Sequence, residues 1–134
     1  MADRHFTVEE ANELLAEVRP LAEEMVRRRR ALAAAWQRRG ELAAAIEGNG
    51  GGVRPQELAE LEASIGTESE ELARCLDAIH ELGAVVKDID RGLVDFPALR
   101  DGEDVLLCWQ LGENEIRYWH GTEEGFAGRK ELPL

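Results

Sequence analysis

The chain has 134 residues, 44% of them hydrophobic, which is enough apolar material for one domain with a core. Its 28 acidic residues against 16 basic ones give a formal charge of -12, and so acidic a chain disfavours general binding to a polyanion such as nucleic acid. No apolar run approaches the roughly 20 residues of a membrane span, and Met1 to His5 carries no apolar signal core, so a cytoplasmic protein without a membrane partner is expected.

Thr7 stands where a helix would begin, and Glu10 three residues later completes a capping-box pattern. From there Leu14, Val18, Leu21, Met25, Arg28, Leu32, Ala35, Arg39, Leu42 and Ile46 keep an unbroken three-four spacing, which predicts a helix from about Val8 to Glu47. Pro20 lacks an N–H and crowds the preceding turn, so a kink near Arg19 is expected. Gly48-Asn49-Gly50-Gly51-Gly52 cannot continue the helix. A second helix is predicted from Arg54-Pro55, where the missing donor of proline costs nothing, to Leu82-Gly83, a glycine cap. Its stripe is Leu58, Leu61, Ile65, Glu68, Leu72, Cys75, Ile79 and Leu82.

Two such stripes joined by glycines describe an antiparallel, coiled-coil-like hairpin. Closing it on the glycine loop sets Leu42 near Leu61, Leu32 near Leu72 and Met25 near Ile79. Arg39 and Glu68 interrupt the seams within about one turn of each other, and an ion pair between them is expected to help set the register. Arg27 to Arg30, with Arg38 and Arg39, form a basic block. Because residues 48–82 hold two arginines against eight acidic residues, the block is read as neutralised by helix two and not as a phosphate site.

After Gly83 the period changes from 3.6 to 2. Ala84–Ile89 is β-prone, and Asp101-Gly102 marks a turn. Val105–Leu111 and Ile116–His120 flank Gly112-Glu113-Asn114-Glu115, a four-residue hairpin loop. That closure sets Leu111 opposite Ile116, Trp109 opposite Tyr118 and Leu107 opposite His120. His120 then shares the apolar face with Leu107 and Trp109, while Cys108 and Trp119 take the other. Cys75 and Cys108 lie in apolar patterns without a CxxC partner, so both are read as reduced packing residues.

The fold class is therefore α+β: a long antiparallel helical hairpin (8–82) packed on a small C-terminal antiparallel sheet (84–134), in one domain spanning 1–134. Phe6-Thr7, Glu10-Ala11-Asn12, Asp95-Phe96-Pro97-Ala98, Cys108-Trp109, Leu111-Gly112-Glu113, Tyr118-Trp119-His120 and Gly125-Phe126-Ala127-Gly128-Arg129 together resemble an uncharacterised prokaryotic family, the domain of unknown function numbered twenty-two-oh-three. The resemblance covers nearly the whole chain. It implies this architecture and no reaction.

Candidate chemistry collects in the C-terminal third, where loops at strand ends gather. Asp88 and Asp90 alternate on an extended segment and would share a hard cation, with His120 as a third metal ligand. The plainer role of Asp88, Asp90 and Asp95 is turn capping and pairing with Arg91 or Arg100. His120 with Glu123 and Glu124 reads as a metal pair or a base and its orienter, or as a hydrogen-bonded residue at the core edge. The candidate ligand-binding residues are Asp90, Arg91, Asp95, Arg100, Trp119 and Arg129, and no nucleophile–base arrangement is legible. Trp36 and Leu15 lie off the main seam and widen the apolar surface of helix one. The leading expectation is a non-enzymatic binding module that docks partners through its hairpin and self-associates as a homodimer, with no cofactor. The alternative is a small metal- or ligand-dependent enzyme with a divalent metal near His120.

Overall fold

The structure, a computed structural model, describes residues 4–48, 52 and 54–134. Met1 to Asp3 and the expected glycine loop at 49–51 lie outside the described residues. Helix α1 spans Val8–Gly48 and helix α2 spans Pro55–Glu81. Five strands follow: β1 (Val85–Asp88), β2 (Leu93–Arg100), β3 (Glu103–Gln110), β4 (Tyr118–Gly121) and β5 (Lys130–Glu131). They form one antiparallel sheet in chain order, so every connection joins neighbours.

The capping box forms in both directions: the Glu10 N–H donates to Thr7 Oγ1 at 3.1 Å, and the Thr7 N–H donates to Glu10 Oε1 at 2.9 Å. The helix then runs unbroken through Pro20, and its 41 residues reach about 60 Å. Met25, Leu32, Leu72, Cys75 and Ile79 lie in one buried cluster between the helices. The predicted Arg39–Glu68 pair does not form. Arg39 pairs with Glu62 at 3.4 Å, and Glu68 accepts from Arg28 at 3.3 Å. Arg28 lies in the same stripe eleven residues earlier and also reaches Glu24, so the acids of both helices converge on it. Helix two pairs with three of the six arginines of the basic block, Arg28, Arg39 and Arg38, the last on Glu57 at 2.9 Å, while Arg29 turns instead to Asp90.

β2 was not foreseen as a strand. Residues 93–98 are buried on both faces, so the two-residue alternation that betrays a half-buried strand is missing. Pro97 is tolerated because β1 pairs only as far as Asp95, and the Pro97 carbonyl on that open side accepts from the Phe6 N–H at 2.7 Å. Asp101 (φ 51°) and Gly102 (φ 84°) close the β2–β3 hairpin as a two-residue turn with both central φ values positive.

One sheet face carries Val94, Phe96, Ala98, Val105, Leu107 and Trp109, all packed into the helical core. There Phe96, Trp109 and Ile116 join Leu14, Leu15 and Val18 of α1, so the C-terminal third covers the start of helix one. Among the described residues no helix is long and apolar enough to cross a membrane.

The β3–β4 register differs from the sequence reading by one residue. Cys108 pairs with Tyr118 and Leu106 with His120, where Trp109–Tyr118 and Leu107–His120 were expected. The tight four-residue loop gives way to a wider connection because helix one and the C-terminal segment hold it open. Arg19 donates to the carbonyls of Glu113 and Asn114, the Ile116 N–H donates to Asn12 Oδ1 at 2.8 Å, and Arg129 donates to Glu113 Oε1 at 2.7 Å. A one-residue slip turns every side chain of β4 to the opposite face. His120 and Tyr118 therefore leave the helical side and join Cys108.

Candidate functional site

Asp95, Cys108 and His120 come from three adjacent strands. Asp95 is paired with Cys108 across β2–β3, and the observed register puts His120 on the same outer face of the sheet. All three are buried, at 0%, 0% and 2% exposure. One ligand-capable atom from each lies within 4.8 Å of the other two, the one such group among the described residues.

His120 Nδ1 lies 2.8 Å from the Gly121 carbonyl oxygen. A carbonyl only accepts, so Nδ1 carries the proton. Nε2, 2.9 Å from Asp95 Oδ2, then either accepts from a protonated Asp95 or donates as part of an imidazolium. The other carboxylate oxygen, Asp95 Oδ1, is buried with no hydrogen-bond partner. Burial pushes the Asp95 carboxyl above its ordinary range, against the smaller pull of His120, Cys108 and Lys87. Burial, with Asp95 adding to it, pushes the Cys108 thiol up to about 12, so it keeps its proton at neutral pH.

The C-terminal segment covers this face. Arg129 donates to the Cys108 carbonyl at 3.3 Å and lies over the Tyr118 ring at 4.1 Å and the Phe126 ring at 4.6 Å. Arg91 lies over Phe126 at 4.2 Å. Glu124 locks the loop between β4 and β5, accepting from the Gly121 N–H at 2.8 Å and from Lys130 at 2.7 Å, and the Lys130 contact holds its carboxyl below the usual range. A Cβ at Gly128 would meet Glu124 at 2.9 Å, so the loop closes tightly only over glycine. The carboxylate that His120 engages is thus Asp95 of β2, reached across β3, while Glu124 holds the loop.

The remaining sequence candidates separate into three places. Asp88 Oδ1 accepts from the Arg91 N–H at 3.2 Å, which is turn capping, and Asp90 pairs with Arg29 of α1 at 3.1 Å. Arg91 and Arg129 meet at Phe126. Arg100 and Lys130 both lie over Trp119, at 4.9 and 4.8 Å, beside a concavity of about 310 Å³ that also reaches Thr122 and Glu124. A larger groove of about 710 Å³ opens where the end of α2 meets the sheet, lined by Arg4, His80, Lys87, Pro97, Leu106 and Thr122. Of the named candidates, only Asp95 and His120 share the buried group. Cys108 was missed because the expected register put it on the opposite face from His120. Nothing in the hairpin sequence fixes that face, because strand parity follows the length of the loop.

As it stands the trio is poorly built for proton transfer to a substrate. Both ring nitrogens of His120 are occupied, the thiol is held neutral, and Asp95 beside it is sealed from solvent at 0% exposure. Its chemistry is that of an oxygen, a sulfur and a nitrogen donor converging on one buried point. The family described as "Uncharacterized conserved protein (DUF2203)" matches residues 4–132, and the chain belongs to it. No curated protein and no solved structure matches the chain.

Proposed function

We propose that this member of the DUF2203 family is a non-enzymatic cytoplasmic interaction module that assembles as a homodimer through its helical hairpin. The observation that carries this reading is Trp36, 50% exposed on the far half of the hairpin. Beyond Leu32, α1 makes no hydrogen bond or ion pair to the sheet among the described residues, and its partners there are on the helices. Ile46, 48% exposed, extends the apolar surface toward the tip. Arg39 lies over the Trp36 ring at 5.3 Å, so the indole is held in place as an amphipathic contact surface.

A second copy is the occupant that suits the charge of this arm. Six arginines stand between Arg27 and Arg39 on α1, and six glutamates between Glu57 and Glu71 on α2. Among the described residues, Arg27 and Arg30 on α1 and Glu60 and Glu70 on α2 have no ion-pair partner within the chain. A two-fold pairing sets the basic helix of one copy against the acidic helix of the other. Acid–base catalysis in the C-terminal third is the weaker reading, because Asp95, Cys108 and His120 are all buried and both nitrogens of His120 are already bonded.

Light scattering at rising concentration should give a mass about twice 14.9 kDa. Trp36→Glu should return the mass to 14.9 kDa with helix content unchanged. A wild-type mass of 14.9 kDa at high concentration overturns the dimer.

A further inference from the structure

We propose that Asp95, Cys108 and His120 bind one divalent transition-metal ion of the zinc type, which ties β2, β3 and β4 together. The donor set comes first. A carboxylate oxygen, a thiolate sulfur and an imidazole nitrogen are the three kinds of zinc ligand, and their mixture excludes the all-oxygen preference of magnesium or calcium. Donors around a four-coordinate zinc lie about 3–4 Å apart. The three donor atoms here already lie within 4.8 Å of one another, on neighbouring strands of one sheet. Filling the site asks for small side-chain adjustments and no movement of elements.

The orientation of His120 is the second observation. Its Nδ1–H is committed to the Gly121 carbonyl, which directs Nε2 toward Asp95 and Cys108. Metal-bound histidines are held in this way, with one nitrogen on a backbone carbonyl and the other on the ion. Third, Asp95 Oδ1 is fully buried with nothing to bond, an expense that a ligand at this point would remove. Fourth, the charges balance. Deprotonated Asp95 and Cys108 with neutral His120 carry two negative charges, so the filled site is neutral and can be buried without a naked ion. On binding, the Cys108 S–H proton and the proton shared by Asp95 and His120 leave to solvent. Arg129, which donates to the Cys108 carbonyl, adds positive charge near the new thiolate.

The three donor residues are 0%, 0% and 2% exposed, so the ion would be shielded and exchange slowly. With three protein donors, the fourth tetrahedral position would fall to a water molecule. The reading is independent of the dimer.

Cobalt(II) is the probe, added to full-length protein stripped with a chelator. The expected result is one Co²⁺ per chain with the visible bands of a tetrahedral site and a thiolate-to-cobalt charge-transfer band, both lost on adding Zn²⁺. Zn²⁺ should also raise the melting temperature of the stripped protein. Cys75→Ser should keep the charge-transfer band, because Cys75 lies on α2 in the helical core. Cys108→Ser should lose it. Asp95→Asn, nearly isosteric, should weaken binding by more than about tenfold and serves if the cysteine variant fails to fold. Three results overturn the site: a folded wild type that gives no tetrahedral spectrum in excess Co²⁺, a charge-transfer band that survives Cys108→Ser, or unchanged affinity in Asp95→Asn.

Discussion

His120 gives its Nδ1 proton to the carbonyl of the next residue, and that contact decides which nitrogen faces Asp95. The pair then sits in a place where water cannot share the charge. Burial lifts the Asp95 carboxyl above the value of about 3.9 that it has in an unfolded chain. Between those two values the folded protein holds a proton that the unfolded chain has released. Stability from this group is therefore fully present below about pH 4 and falls as pH rises, until the folded carboxyl ionises as well. In the presence of a chelator, the urea midpoint of the wild type should fall relative to Asp95→Asn as the pH rises from about 4. A wild-type midpoint that climbs against the asparagine variant over that range means that His120 and Lys87 outweigh burial. Sequence pointed to Asp95 and His120 separately, as a turn residue and a strand-end residue. It brought residues 88–100 and 119–129 to one region but did not pair these two, because their contact spans 25 positions.

Helices α1 and α2 were legible almost to the residue, since caps, proline, glycine and a 3.6-residue stripe are all local signals. The strands were legible in part. β3 shows a short apolar run before a turn and β1 shows β-branched residues, but β2 is buried on both faces and hides its period. Its entry is set by Gly92, at φ +64°, whose carbonyl accepts from the Leu111 N–H at 3.0 Å. A Cβ there would stand 2.7 Å from Leu111 Cβ. Gly92→Ala therefore combines a left-handed backbone with overpacking, and should cost roughly 1–3 kcal/mol in urea unfolding. A loss under about 0.5 kcal/mol would show that the β1–β2 turn and the end of β3 separate freely. The same junction explains the register error. A hairpin reading considers only the two strands and their loop, whereas here α1 and Arg129 hold the loop open from both sides.

At the scale of the whole molecule, burial is uneven along the hairpin. From Ala11 to Leu32, α1 packs against α2 and the sheet together. Farther out it buries only Ala35 and Leu42, and no residue of α2 before Leu72 is buried. Local opening should therefore cost less free energy toward the tip. Amide hydrogen exchange should be faster over residues 36–47 and 57–65 than over 11–26 and 94–109. If the arm is also the dimer contact, its exchange should slow as protein concentration rises, while the sheet stays unchanged. Uniform protection along both helices would contradict the uneven burial.

The sequence by itself determined the α+β class, the two helices with their caps and the antiparallel sheet after Gly83. Each of these follows from near-neighbour rules: periodicity, capping chemistry and the need to bury a stripe. Tertiary structure alone decided the partner of each charged residue and the face on which His120 lies. A period of two leaves strand parity undetermined until something outside the hairpin sets the loop length. Asn12, Arg19 and Arg129 set it here. Moving β4 by one residue took His120 from the core and placed it beside Asp95 and Cys108, where the one buried cluster of metal-ligating side chains among the described residues is found.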